Sequence, residues 1–219
     1  MITLLAASLV FQQAPMLTAA EVRSGWKLLF DGKTTKGWTN FKTDTIGSGW
    51  TVTDGVLTSS DPHNAGDIVT ADKYQWFELE LEFKMGKGQN SGVMFHVAET
   101  GEAVWHTGPE IQLYDNAANK RVQQCGWLYE LYPAKVDATK PAGEWNKLRL
   151  VISPKKCETI MNGVKYYEFV LGSEEFKERI AKSKFAKMPG FGTQGTGRIA
   201  LQGDHGLVSF RNIKVKVTK

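Results

Sequence analysis

The chain has 219 residues, 42% of them hydrophobic and 23% charged. That is the balance of an ordinary globular domain, long enough to bury a core without disulfide staples. A net charge of +4, from 27 basic against 23 acidic residues, is too mild to argue for nucleic acid or an anionic membrane as partner.

The first twenty residues, MITLLAASLVFQQAPMLTAA, carry an apolar run from Ile2 to Phe11 that is too short to span a bilayer. With small residues at Thr18 and Ala20, the segment reads as a signal peptide over 1–20, cut after Ala20, atypical or beginning further upstream because no basic n-region precedes the run; a disordered or packed arm is the alternative. The expectation is an exported protein with one domain over residues 21–219, monomeric or a small homo-oligomer.

From Gly25 onward, short strand-like runs alternate with turn signals. Trp26–Phe30 ends at Asp31-Gly32, read as a hairpin-type turn. Trp50–Val52 and Val56–Thr58 flank Asp54-Gly55, a strong hairpin dipeptide. Asp61–Gly66 reads as a loop and Asp67–Thr70 as a short strand. Phe77–Lys84 alternates: Phe77, Leu79, Leu81 and Phe83 point inward, Glu78, Glu80, Glu82 and Lys84 outward. Gly86–Gly92 turns into two further alternating segments. In Gly92–Val97, Val93, Phe95 and Val97 oppose Met94 and His96; in Glu110–Leu113, Ile111 and Leu113 oppose Glu110 and Gln112. After a loop at Pro133–Gly143 come a strand at Trp145–Ile152 and a hairpin of Lys156–Asn162 and Val164–Phe169 about Asn162-Gly163.

Ser173–Lys187 is the one convincing helix. Ser173 can cap it, Phe176, Ile180 and Lys184 recur at helical spacing, and Met188-Pro189-Gly190 stops it. Arg198–Gln202 and Leu207–Val217 close the chain around Gly203-Asp204-His205-Gly206. Many short strands with one helix near residues 173–187 predict an all-β sandwich of two antiparallel sheets. Cys125 and Cys157 are either one disulfide or two separate buried thiols.

The stretch Gln89–Tyr132 holds the densest set of candidate site residues. A strand that shows a carboxylate, an amide and an imidazole on a face that is not core is a floor for a polar ligand. Glu110, Gln112 and His96 qualify, against the alternative of a solvated strand face. Asp115 and Asn116 either form part of a rim for that ligand or turn the chain. One of Trp127 and Tyr129 is expected to face the site, the other the core. His205, between Asp204 and Gly206, is the first choice among the four histidines for a base; His106 lies near Glu110, and His63 reads as a loop residue. Glu80 can reach a curved cleft or sit on a solvated carboxylate row, and Arg211 can be site or rim.

An ordered set of motifs runs through the chain: Leu29-Phe30-Asp31-Gly32, Gly37-Trp38, Asn90-Ser91-Gly92, Glu110-Ile111-Gln112, Asp115-Asn116, Gly126-Trp127-Leu128-Tyr129, Asn162-Gly163, Leu201-Gln202-Gly203-Asp204-His205-Gly206 and Phe210-Arg211-Asn212-Ile213. Together these resemble the 3-keto-disaccharide hydrolase family over about residues 25–217. The resemblance implies a concanavalin-A-like jelly-roll sandwich, export to the periplasm or outside a bacterial cell, and a polar site on the concave sheet that includes Gln202. It implies action on glycosides oxidised at sugar C3. Two departures stand out. Gly203 is an extra residue between Gln202 and Asp204, and His96 stands where the family commonly has arginine.

A 3-keto glycoside carries an acidified C2 proton, so base, enolate stabiliser and acid suffice for cleavage. The expected catalytic set is His205, Glu110 and His96, with Gln112, Asp115, Asn116, Trp127, Tyr129, Gln202, Glu80 and Arg211 around the sugar. A divalent metal held by Glu110, His96 and His205 is a further possibility. A non-catalytic carbohydrate-binding module and an ordinary endoglycosidase are the alternatives; the latter is disfavoured because no ExDxxE-type paired-carboxylate pattern occurs.

Overall fold

The structure is a computed structural model that describes residues 16–118 and 123–219. Residues 1–15 of the expected signal peptide lie outside the described residues. In chain order the elements are α1 (Ala19–Arg23), β1 (Trp26–Leu28), β2 (Trp38–Asn40), β3 (Trp50–Thr53), β4 (Val56–Ser59), α2 (Pro62–Ala65), β5 (Ile68–Thr70), β6 (Phe77–Met85), β7 (Asn90–Val97), β8 (Glu110–Tyr114), β9 (Asn146–Ile152), β10 (Cys157–Met161), β11 (Val164–Phe169), α3 (Glu174–Ala181), β12 (Arg198–Leu201) and β13 (Val208–Val217). Two antiparallel sheets result. The larger has eight strands, β11-β10-β9-β6-β13-β4-β3 with β1 also paired to β13, and the smaller has five, β2-β5-β12-β7-β8.

The alternation of β6 is realised as read. Phe77, Leu79, Leu81 and Phe83 are buried with Leu148, Leu150, Ile152 and Phe210 from the large sheet and Val93, Phe95, Ile111, Leu113 and Leu201 from the small one, in a single core cluster. Each such side chain contributes roughly 1.5–3 kcal/mol by leaving water. The hairpins at Asp54-Gly55 and Asn162-Gly163 form with both turn residues at positive φ (50° and 77°, 50° and 84°), the conformation that matches strand twist.

Four local expectations are corrected. Asp31-Gly32 is not a hairpin: β1 pairs with β13 in the large sheet while β2 joins the small one, and the Asp31 carboxylate instead accepts from the N–H groups of Lys33 and Thr34. The loop at Asp61–Gly66 contains the single-turn helix α2, capped by Asp61. The helix stops at Ala181, and Ser183 caps a separate 3₁₀ turn over Lys184–Lys187, so Lys184 leaves the face of Phe176 and Ile180. In β7 the alternation breaks at His96, whose φ is 54°. The register against β12 shifts there, and Val97 joins Met94 in a cluster away from the main core, as a bulge requires. Cys125 and Cys157 are separate buried thiols.

β12 and β13 belong to different sheets, so residues 202–207 cross from one sheet to the other. That crossing carries Asp204 and His205 to the edge of the outer face of the small sheet.

Candidate active site

Three strands of the small sheet build the floor. Register places Glu110 on β8 opposite Met94 on β7, and Met94 opposite Ala200 on β12. With Ile111 and Leu113 taken by the core, Glu110 and Gln112 face outward. Gln112 is paired with Gly92, and the Gln202 N–H donates to the Gly92 carbonyl at 2.9 Å. Gly92 is needed for space: a methyl group there would collide with the Glu110 carboxylate, which leans over it. Gln112 Nε2 donates to Asn90 Oδ1. Beside this polar patch Val69, Met94, Val97, Val104 and Ala200 form an apolar shelf under Phe41 and Trp105. The rim comes from connections: Trp105, Tyr129, Lys184 and His205 complete a pocket of about 160 Å³ with Asn90, Glu110, Gln112 and Gln202.

The charges in this pocket are poorly compensated. Burial pushes the Glu110 carboxyl up to about 8, only partly opposed by the Lys184 and His205 cations. Lys184 Nζ lies 3.3 Å from the Tyr129 hydroxyl and over the Tyr129 and Trp105 rings, at 4.3 and 5.3 Å. His205 Nδ1 is hydrogen-bonded to Asp204 Oδ1. That bond raises the imidazole above its ordinary range, against partial burial, and holds Asp204 below its own. Behind them, burial and the Asp204 charge push Asp67 up to about 7. Two amide oxygens, Gln112 Oε1 and Gln202 Oε1, are buried with no hydrogen-bond partner. Unpaired buried acceptors cost about 1–3 kcal/mol each until a ligand donates to them.

The structure therefore gathers His205, Glu110, Gln112, Gln202 and Tyr129 into one pocket. The other expected site residues sit elsewhere. His96 is 2% exposed, with its ring edge-on to Trp76, Phe77 and Phe95 and Nε2 on the Gln75 carbonyl at 2.7 Å; the bulge turns it away from Met94's face, and burial lowers its pKa. Asp115 is consumed by the N–H groups of Gly88 and Ala117. Asn116 ties Asp137, Thr139 and the Cys125 N–H together. Trp127 is half-buried and outside the pocket lining, meeting Gln112 through its carbonyl at 2.9 Å. Glu80 faces out from the other sheet, paired to Lys147 and Lys214. Arg211 bonds Glu82 at 2.6 Å and covers Trp145. His106 accepts the Glu102 N–H through Nδ1 at 3.3 Å. The three-ligand metal set fails because His96 is not there. Among the described residues no group of three or more His, Cys, Asp or Glu side chains is disposed to hold a metal ion.

Sequence reasoning missed Lys184, Trp105, Asn90 and Asp67. Helical spacing puts Lys184 on a helix face, and Ser183, a capping residue just before it, signals the break. Trp105 and Asp67 lie on connections, where pattern says nothing of direction. Asn90 begins β7 on the same outward face as Gly92, and that alternation was available to read.

Fold and pocket together define a jelly-roll sandwich with a polar pocket on the outer face of its smaller sheet. The same fold is seen in a Bacillus licheniformis beta-glucanase (TM-score 0.50, 12% identity, 89% of this chain and 97% of that one), a likeness of fold alone. The chain belongs to the 3-keto-alpha-glucoside-1,2-lyase-like domain family, whose profile matches residues 25–216. It is 32% identical to a 3-keto-disaccharide hydrolase of Bacteroides thetaiotaomicron, over 88% of this chain and 78% of that protein. It also resembles two crystal structures from Parabacteroides distasonis ATCC 8503, each described as a candidate glycosyl hydrolase. The first has a TM-score of 0.86 and 32% identity over 94% of this chain and 100% of that one. The second has a TM-score of 0.66 and 30% identity over 88% and 99%.

Proposed function

We propose that the protein is a glycoside hydrolase that cleaves 3-keto-glycosides, including 3-keto-disaccharides, by elimination and hydration. The observation that carries this reading is the pocket's unlike pair: an imidazole held by Asp204 and a carboxyl kept protonated to about pH 8 by burial. Glu110 is the one carboxylate among the residues that line the pocket, whereas an ordinary glycosidase uses two across the scissile bond. A 3-keto sugar needs no second carboxylate, because its ketone makes C2–H acidic.

In the proposed sequence, His205 Nε2 takes the C2 proton, and the C2–H electron pair becomes the C2=C3 bond of an enolate. The Lys184 cation and the Tyr129 hydroxyl lie on the rim where a negative oxygen would be stabilised. The enolate reforms the C3 ketone and makes C1=C2, and the C1–O bond breaks with its electrons on the aglycone oxygen. Glu110 gives that oxygen its proton. Water then adds to C1 of the enone, with Glu110 carboxylate accepting its proton and the His205 imidazolium returning one to C2. Both groups regain their starting state, and the net change is hydrolysis. Gln112 Oε1 and Gln202 Oε1, otherwise unpartnered, accept from sugar hydroxyls. Trp105 offers an apolar face beside them.

Base and acid must be neutral imidazole and protonated carboxyl, so turnover is confined between the raised His205 value and about pH 8. The test is product analysis with matched substrates. The protein is expected to release aglycone from a 3-keto-glucoside and none from the parent glucoside. His205→Ala is expected to lower turnover at least ~100-fold. Equal action on both substrates removes the reading, and retained activity in the variant moves the base elsewhere.

Export is part of the proposal. A cut after Ala20 would fall inside α1 and release its Thr18 cap, leaving Glu21 to keep its ion pair with Lys214. N-terminal sequencing of protein recovered from the periplasm or medium checks it.

A further inference from the structure

Trp50, Gly203 and Asp67 have no part in the chemistry above, and Gly203 meets both of the others. Gly203, on the crossing between β12 and β13, is wedged so that any side chain would strike the Gly66 carbonyl and the Trp50 indole. Its carbonyl accepts from Ser59 Oγ at 2.6 Å, and its N–H donates to Asp67 Oδ1 at 3.1 Å. Trp50 is itself fixed by its Nε1–H on the Gly66 carbonyl at 2.9 Å. Asp67 in turn is held through its backbone, its carbonyl accepting from the Phe41 N–H at 2.9 Å and from Asn40 Nδ2 at 3.3 Å. The Asp67 carboxyl lies close enough to that of Asp204 for the two to feel each other's charge, and Asp204 holds His205.

We propose that Asp67 is a positioning residue for His205: one carboxyl oxygen anchors Gly203, and the other carries a proton shared with Asp204, so that Asp204 meets the imidazole in one fixed geometry. Two carboxylates in contact require that proton, since like charges at hydrogen-bond distance cannot both ionise cheaply. The ionisable groups facing Asp67 are Asp204 and His205, with Glu110 beyond them. With Asp67 protonated, Asp204 is a single anion pinned from both sides. Once Asp67 ionises, above the ordinary carboxylate range because of burial and the Asp204 charge, a second negative charge holds the imidazole as imidazolium and weakens it as a base. An asparagine at this position reproduces the protonated state permanently, since its Nδ2 donates to Asp204 and its Oδ1 accepts from Gly203. An alanine does neither.

The inference rests on the reading of His205 as the base, and its test is chosen to stand apart from that reading. NMR titration of His205 in the intact protein, assigned with a His205→Gln variant, needs no substrate. In the parent protein the His205 resonance is expected to move in two steps, one from its own proton and one from Asp67. In Asp67→Asn it is expected to move in one step, with a lower midpoint. With a 3-keto-glucoside, Asp67→Ala is expected to lose about tenfold in kcat, the loss of one charge-assisted hydrogen bond. Asp67→Asn is expected to recover most of that and to extend the pH profile toward acid, since the lower His205 midpoint frees the base at lower pH. A His205 titration in Asp67→Asn that superposes on the parent overturns the proposal, as does an Asp67→Asn enzyme as slow as Asp67→Ala. If the parent protein cleaves no 3-keto-glucoside, the catalytic reading falls while the titration still decides whether Asp67 governs His205.

Discussion

Two strand faces in this molecule present carboxylates in the same alternating pattern and put them to opposite ends. On the outer face of the large sheet, Glu78, Glu80 and Glu82 of β6 lie in register between β9 and β13. There Glu78 meets Lys216 at 2.9 Å and Arg149, Glu80 meets Lys147 at 2.9 Å and Lys214 at 3.2 Å, and Glu82 meets Arg211 at 2.6 Å. Burial alone would push Glu78 and Glu80 up, but the hydrogen bonds and charges of their partners win, and both are held below the ordinary carboxylate range. On the outer face of the small sheet, Glu110 has Met94, Gly92 and amide side chains around it. Its cation, Lys184, is engaged with Tyr129 and acts through space, so burial wins and the carboxyl rises to about 8. A saturated face stabilises the fold; an unsaturated one is available for chemistry at some cost to it.

The sharpest way to break this contrast is Glu110→Gln, which keeps the shape and removes the proton. Turnover on a 3-keto-glucoside is expected to fall at least ~100-fold. Stability should move the other way. Glu110 is raised from 4.5 to about 8 on folding, so its contribution is intact below pH 4.5 and lost progressively as pH rises to 8. Glutamine suffers no such loss. The variant should therefore be more stable than the parent at neutral pH, by on the order of 2–3 kcal/mol, with the gap widening between pH 5 and pH 8. Urea unfolding of both proteins at those two pH values measures it. A gap independent of pH would mean that Glu110 is no less well solvated than Glu80.

The contrast also shows where sequence stops informing. Alternation correctly assigned the outward residues of β6 and β8, because the side-chain period of a strand is fixed by geometry. It could not tell a paired face from an unpaired one, since Lys147, Lys214 and Lys216 reach β6 only through the strand order of the sheet. Alternation therefore leaves Glu80 open between a cleft and a solvated row, and Arg211 between site and rim. His96 was misplaced by one bulge, which flips every later residue to the other face. Of the pair Asp115-Asn116, Asp115 holds the turn through the Ala117 N–H, while Asn116 braces Asp137, Thr139 and the Cys125 N–H. The family motif brought Gln202 and His205 to the pocket where spacing alone was silent. Asp67 and Lys184 lie on connections whose direction depends on how loops cross between the sheets.

A second, smaller perturbation sharpens the role of space around Glu110. Gly92 has an ordinary strand conformation, so Gly92→Ala should be tolerated by the backbone. The added methyl group, however, would occupy the place of the Glu110 carboxylate. The carboxylate is the free end of a flexible side chain and should swing aside. We expect kcat to fall roughly 10- to 100-fold through misplacement of the acid, with Gly92→Ala adding little to the loss already caused by Glu110→Gln. Full additivity in that double-mutant cycle would show that the glycine acts through something other than Glu110.

The smallest expected effect belongs to the saturated face. Glu80→Gln should leave turnover within about twofold, since Glu80 lies on the other sheet, and should reduce stability by no more than ~1 kcal/mol at neutral pH. Its pH dependence carries the argument. Glu80 is lowered on folding, so its contribution is present above the ordinary carboxylate value and disappears as pH falls through the folded one. The parent's advantage over Glu80→Gln should thus vanish in acid, while its deficit against Glu110→Gln grows toward alkali. Two difference curves of opposite sign, read from the same unfolding experiment, would locate the distinction between the faces in the partners that register supplies. Curves of the same sign would place both carboxylates in equivalent surroundings and remove the physical basis for treating Glu110 as the acid.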